Sequence, residues 1–234
     1  PQSIKAKFRE KNRLIEVYRQ ERNTRSAEEL KKRIDKLAAR YRNDLDRKLD
    51  LRLGEQAQHF HSEPWFQPFH WVMEFSNVFD KGGFDIVVGN PPFTRNELIP
   101  RSYKNALDSV FLEYTDYLSG QLGLYGYFVI LCDRILRPNG RGAYVLPSTI
   151  LRVESTLGLR QLLIHKSQIE RIFVRTTRAA FSNDTSLREI ILTFKKGTNE
   201  TGPCRIVFVG ELTSKEREIL AARERENQVA IVEP

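Results

Sequence analysis

Asn90, Pro91, Pro92 and Phe93 come directly after "FDIVVG", an apolar run with the length of a buried strand. Proline fixes its own φ and pushes the residue before it into an extended conformation, so the two prolines make a stiff loop and set the direction of Asn90. Neither proline has an N–H, so the loop presents acceptors rather than donors. The amide oxygen of Asn90 and the carbonyl of Pro91 together suit the two hydrogens of one NH₂ group. An exocyclic amine on a nucleobase is a poor nucleophile because its lone pair is delocalised into the ring. Two acceptors draw it toward tetrahedral geometry and localise that lone pair, which then points at an electrophile on the opposite side. Phe93 can stack on the flat face of the same base, a contact worth about 1–3 kcal/mol. A base held in this way has left its duplex stack. The acceptor logic serves adenine and cytosine alike.

Charge marks a second candidate region. Residues 1–50 carry 16 Lys and Arg against 9 Asp and Glu, a net +7, which leaves 22 against 21 for the rest of a chain whose net charge is +8. A basic module attached to a nearly neutral body suits a polyanion, nucleic acid above all. Lys31, Lys32, Arg33 and Lys36 are the candidate phosphate contacts; the competing reading is a solvated helix face rich in cations. His59, His61 and His70 lie among bulky aromatics, with no carboxylate or cysteine pattern to complete a ligand set, so no metal site is expected. The two cysteines, Cys132 and Cys204, sit inside apolar runs and read as small hydrophobes.

These residues need elements to hold them. Ile4, Phe8, Ile15 and Tyr18 recur at helical spacing, as do Leu30, Ile34, Leu37, Tyr41, Leu45 and Leu49, so a helical hairpin is predicted over residues 1–53. Ser26 and Glu29 have the spacing of a capping box, which places the start of the second helix at Ser26. Residues 54–83 form an aromatic connector broken by Pro64 and Pro68 and read as irregular. From Gly82 onward, short apolar strands alternate with helical stretches. Strands are expected at Phe84–Val88, Ala143–Leu146, Ile169–Val174, Ile190–Phe194 and Ile206–Val209. Helices are expected at Leu107–Leu118, Phe128–Leu136, Leu157–Ile164 and from Ser214 to Arg225. This pattern predicts an α/β sheet, largely parallel and covered on both faces. No apolar run reaches the roughly 20 residues a bilayer span requires, and a cytoplasmic protein with no membrane partner is expected.

The sequence "FHWVMEFSNVFDKGGFDIVVGNPPFTRNEL", with "LYGYFVILCDRILRPNGRGAYVLPSTILR" and "FSNDTSLREIILTFKK" after it, resembles the N6-adenine DNA methyltransferases of restriction-modification systems, including those fused to a nuclease. The resemblance spans roughly residues 69–197 and implies a prokaryotic enzyme that transfers a methyl group from S-adenosylmethionine to the N6 of a flipped adenine in double-stranded DNA. It gives Asn90 and Pro91 the amine-holding role, with Pro92 stiffening the catalytic loop and Phe93 as one stacking face. It also matches Phe181, at the start of "FSNDTS", to the aromatic that closes the other face of the base. The four-residue motif is shared by protein-glutamine and some RNA guanine methyltransferases, so an RNA or protein-glutamine enzyme is the alternative, and a noncatalytic nucleic-acid-binding module a third.

Such enzymes grip their cofactor with a glycine-rich loop after the first strand and an acidic residue after the second. The one G-x-G here, Gly140-Arg141-Gly142, precedes a strand and reads as a turn. The expected fold is therefore the C-terminal half of a Rossmann-like S-adenosylmethionine-dependent methyltransferase domain preceded by the basic hairpin. Residues 84–197 form the substrate side, and 198–234 a strand and helix leading onward. The chain begins at Pro1 and its one methionine is Met73, which suggests a piece of a longer polypeptide. The cofactor residues are then expected upstream of residue 1, with target-recognition and nuclease domains elsewhere on the parent chain and this piece inactive alone.

Overall fold

Helical periodicity and strand-length apolar runs fall in separate parts of the sequence, and the structure divides accordingly. It is a computed structural model that describes residues 2–62, 68–175, 188–197, 204–209, 218 and 229–232. Two compact units result, Pro1–Gly83 and Phe84–Pro234.

In the first unit, α1 (Gln2–Gln20) and α2 (Thr24–Leu53) form the hairpin. The second helix starts earlier than Ser26: its cap is Asn23, whose side-chain oxygen accepts the Ser26 N–H at 3.1 Å. Asparagine is a better cap than a serine already inside the first turn, and its extended backbone frees the side chain to reach back. Gly54 ends α2 at φ 57, where its N–H donates to the carbonyl of Asp50. The aromatic connector is not irregular. It contains α3 (Gln56–His61), α4 (Trp71–Glu74) and α5 (Ser76–Asp80). Met73 joins Phe8 and Tyr41 in a small apolar cluster, and polar links surround it. The buried Lys11 ammonium donates to the Met73 carbonyl at 2.8 Å, the Ser76 hydroxyl to Asn12 at 2.7 Å, and Arg42 pairs with Glu74 at 3.0 Å. His70 and His61 are bound to Asp46 and Asp50 at 2.6 and 2.7 Å. Among the described residues no group of three or more metal-ligating side chains occurs, and no described helix is long and apolar enough to cross a membrane.

In the second unit, β1 (Phe84–Gly89), β2 (Leu136–Pro147), β3 (Ser167–Arg175), β4 (Glu189–Lys196), β5 (Arg205–Val209) and β6 (Val229–Val232) form one sheet in the order β1-β2-β4-β3-β5-β6. Five strands point the same way; β4 is reversed and pairs antiparallel with both neighbours. Helices α6 (Arg101–Val110), α7 (Leu124–Ile135) and α8 (Leu157–Lys166) and a 3-10 segment at Leu112–Tyr117 are among the elements between the described strands. Tyr144, Leu146, Ile190, Leu192 and Phe194 on the sheet pack with Leu122, Ile130, Leu159 and Leu162 in one core. Burying each such side chain is worth about 1.5–3 kcal/mol.

Three expectations need correction. The sheet is not covered on both faces at β1, where Ile86 and Val88 are 66% and 71% exposed. Periodicity marks a run as apolar without telling an edge strand from a central one. "RPNGRG" is no free turn but part of β2, which advances five residues against two of β1 between the Phe84 and Ile86 pairings. Last, β6 was not foreseen. The helix expected from Ser214 to Arg225 lies outside the described residues, apart from Glu218.

Candidate active site

β1 runs parallel to β2 and ends at Gly89, opposite Tyr144, so the loop Asn90–Phe93 leaves from the carboxyl edge of the sheet. Ligands in open α/β sheets bind at that edge. Gly89 is required by a close approach: a Cβ there would lie 2.7 Å from Cε1 of Tyr144. The Tyr144 ring is buried and its hydroxyl is close to Cys132. Burial pushes that thiol up to about 12, so Cys132 is the small hydrophobe expected of it; both cysteines are free.

Asn90 is exposed, Pro91 buried, Pro92 exposed and Phe93 half-buried. Among the described residues no hydrogen bond is made to the Asn90 side chain or the Pro91 carbonyl, which leaves both acceptors for a ligand. Phe93 packs on the core and meets Tyr125 edge-on, with ring centroids 6.5 Å apart. The Tyr125 hydroxyl is close to Thr149, in the segment that follows β2. Immediately beyond, the Leu124 N–H donates to the Thr94 carbonyl at 3.0 Å, which ties the loop to the first turn of α7.

A residue that sequence reasoning missed holds the loop from the other side. Lys104 of α6 is buried, and its ammonium donates to Asn96 Oδ1 and to the carbonyls of Gly120 and Leu122. Burial lowers its pKa, with Asp108 and Glu97 opposing that shift. The three acceptors are what retain a charge in so dry a place. The available signal was a lysine in an amphipathic helix next to the motif; its partners are distant in sequence and could not be read.

Phe181, expected to close the second face of the base, lies outside the described residues. Lys31, Lys32, Arg33 and Lys36 belong to the first unit, where all four are exposed. Lys32 and Lys36 share a face at one-turn spacing, whereas Arg33 leans to within 4.0 Å of Glu10. The G-x-G does not form a cofactor cradle. A Cβ on Gly140 would meet the Phe84 carbonyl at 2.8 Å, and one on Gly142 the Phe194 ring at 2.4 Å, so both glycines exist for packing within the sheet.

A family profile described as "Eco57I restriction-modification methylase" matches residues 4–181. The chain belongs to that family. Among curated relatives, the type II restriction enzyme and methyltransferase RM.Eco57I of Escherichia coli is 26% identical over 110 residues, which cover 44% of this chain and 10% of that one. The type II methyltransferase M.HincII of Haemophilus influenzae is 25% identical over 134 residues, 56% of this chain and 26% of its own. This methylase-family chain thus spans a minor part of each relative's length. Among solved structures, the type IIG restriction endonuclease BpuSI superposes with a TM-score of 0.41 at 17% identity, covering 53% of this chain and 15% of that one.

Proposed function

We propose that this chain is the substrate-side part of a site-specific DNA methyltransferase of a prokaryotic, cytoplasmic restriction-modification system, acting on the N6 of an adenine turned out of the duplex. The observation that carries the reading is the pair of unengaged acceptors, Asn90 and Pro91, on a loop fixed by Tyr144, Lys104 and the first turn of α7. Family membership supports methyl transfer; the acceptor pair supports an NH₂ group as its target. S-adenosylmethionine supplies the electrophilic methyl group, from a site these residues do not form. The chain's own part is to bind and orient. Asn90 and Pro91 hold the amine with its lone pair exposed on one side, and Phe93 offers an edge of the pocket its aromatic wall. Target recognition, and any nuclease, would reside elsewhere on the parent polypeptide.

The test uses the full-length protein with labelled S-adenosylmethionine and unmethylated bacterial DNA, followed by chromatography of the digested nucleosides. Label in N6-methyladenosine is expected. Label in N4-methylcytosine would change the base while keeping the acceptor pair. Label only in RNA or in protein glutamine would overturn the DNA assignment.

A further inference from the structure

Further along the same carboxyl edge lies a cavity of about 220 Å³ between the end of β2, the end of β3 and the start of β4. Its polar lining is Ser148, Arg152, Arg175, Arg188 and Glu189. We infer that this cavity is a phosphodiester-binding cradle, and, resting on the function proposed above, that it holds the backbone of the strand whose base enters the Asn90–Phe93 loop.

Four observations lead there. The first is charge: Arg152, Arg175 and Arg188 line the space with a single acidic residue, Glu189, alongside the apolar Leu151, Val174 and Ile190. Arg175 and Glu189 each have interactions of their own. Arg152 and Arg188 are both exposed, and among the described residues neither forms an ion pair. Two arginines with forked donors, beside a serine, suit the oxygens of a phosphodiester, and the apolar lining suits the sugar next to it.

The second is preorganisation. The Ser148 N–H donates to the Arg188 carbonyl at 2.8 Å, which fixes the start of β4 against the end of β2. Arg160 of α8 braces the segment bearing Arg152 by donating to the carbonyls of Ile150 and Val153 at 2.9 and 2.8 Å and to the Thr156 hydroxyl at 2.8 Å. An arginine engaged by two backbone carbonyls and a hydroxyl holds that segment in one shape before any ligand arrives.

Position is the third. Pro147 pairs with Glu189, and Ile190 with Val174, while Gly89 pairs with Tyr144. The cavity and Asn90 therefore share one edge of the sheet, and β1 and β4 stand two strand spacings apart, about 10 Å. The fourth is a physical link: Tyr125 touches Phe93, and its hydroxyl is close to Thr149, which follows Ser148 directly. A base at Phe93 and a phosphate at Ser148 would thus be held by parts of one connected frame. Phosphate contacts carry no sequence information and set register instead, which a nucleotide turned out of its stack requires.

The experiment uses the full-length protein carrying Arg152→Gln and Arg188→Gln together, and measures binding to duplex DNA and to an RNA oligonucleotide over a salt series. Each lost phosphate contact should lower the slope of log K against log salt by about 0.9 on duplex DNA. The double variant is expected to lose between one and two such steps, with thermal unfolding unchanged because both side chains are exposed. The pair Arg152→Lys and Arg188→Lys keeps the charge and should restore most of the slope. A double Gln variant that folds and keeps the wild-type slope on both nucleic acids overturns the cradle. A lowered slope on RNA alone upholds the cradle and overturns the DNA reading on which it was placed.

Discussion

Among the described residues, the first unit buries Phe8, Tyr41 and Met73 in one small cluster, while the second buries eighteen side chains in a single core. The links that close the first unit are ion pairs and polar hydrogen bonds, many of them half-exposed. Those bracing the loop of the second are a buried lysine, a buried tyrosine and main-chain bonds. A densely packed interior transmits position with little give, as polarising an amine requires. A charged helical surface attracts a polyanion over distance without demanding one geometry. Under the proposed function the two units would serve different halves of one task, and substitutions in each should fail in different ways.

The largest separation is expected from Asn90→Ala in the full-length enzyme. Loss of one preorganised polar group at a reacting centre typically costs about 10²–10³ in rate. Methyl transfer should fall by that order while the salt slope of DNA binding stays at the wild-type value, because the amide is neutral. Transfer at the wild-type rate would remove Asn90 from the reaction and leave the basic hairpin as the functional part.

Gly89→Ala should produce a smaller effect that joins stability to activity. Its Cβ would sit 2.7 Å from a tyrosine ring that is 5% exposed and packed in the core, so the ring has little room to swing aside. Overpacking of this kind costs about 1–3 kcal/mol, read as a lower midpoint of thermal unfolding, with transfer falling in parallel as the loop shifts. An unchanged midpoint would mean that Tyr144 yields and does not set the position of Asn90.

The parts of the site legible in the sequence were those governed by neighbours. Two prolines constrain Asn90 wherever the strand before them lies, and the 3.6-residue period of α1 and α2 needs no partner to be read. What escaped depended on partners distant in the chain. Lys104 acquires its role only when Asn96, Gly120 and Leu122 surround it, and the cavity at Ser148 draws on three separated strands. Gly140 and Gly142 looked like a turn because a close approach by Phe84 or Phe194 leaves no trace in the local pattern. The strand at 84–89 read as buried because its composition is that of a central strand, although Ile86 and Val88 are exposed. Ser26 with Glu29 has the spacing of a capping box, but the backbone is already helical at Thr24, so Asn23 is the cap.

The smallest predicted effect tests the other unit. Lys32 and Lys36 lie one turn apart on an exposed face of α2, and no described ion pair engages either. If that face meets phosphate, Lys32→Glu with Lys36→Glu should lower the slope of log K against log salt by about 2, at about 0.9 per contact. The loss should appear in the KM for DNA rather than in kcat, since the removed contacts hold ground state and transition state equally. It should also add to the loss from the Ser148 cavity, because separate phosphate contacts release separate counterions. A slope unchanged by reversing both charges would return this helix face to solvent and confine nucleic-acid binding to the sheet unit. The +7 of residues 1–50 would then act as a diffuse field and not as a docking surface.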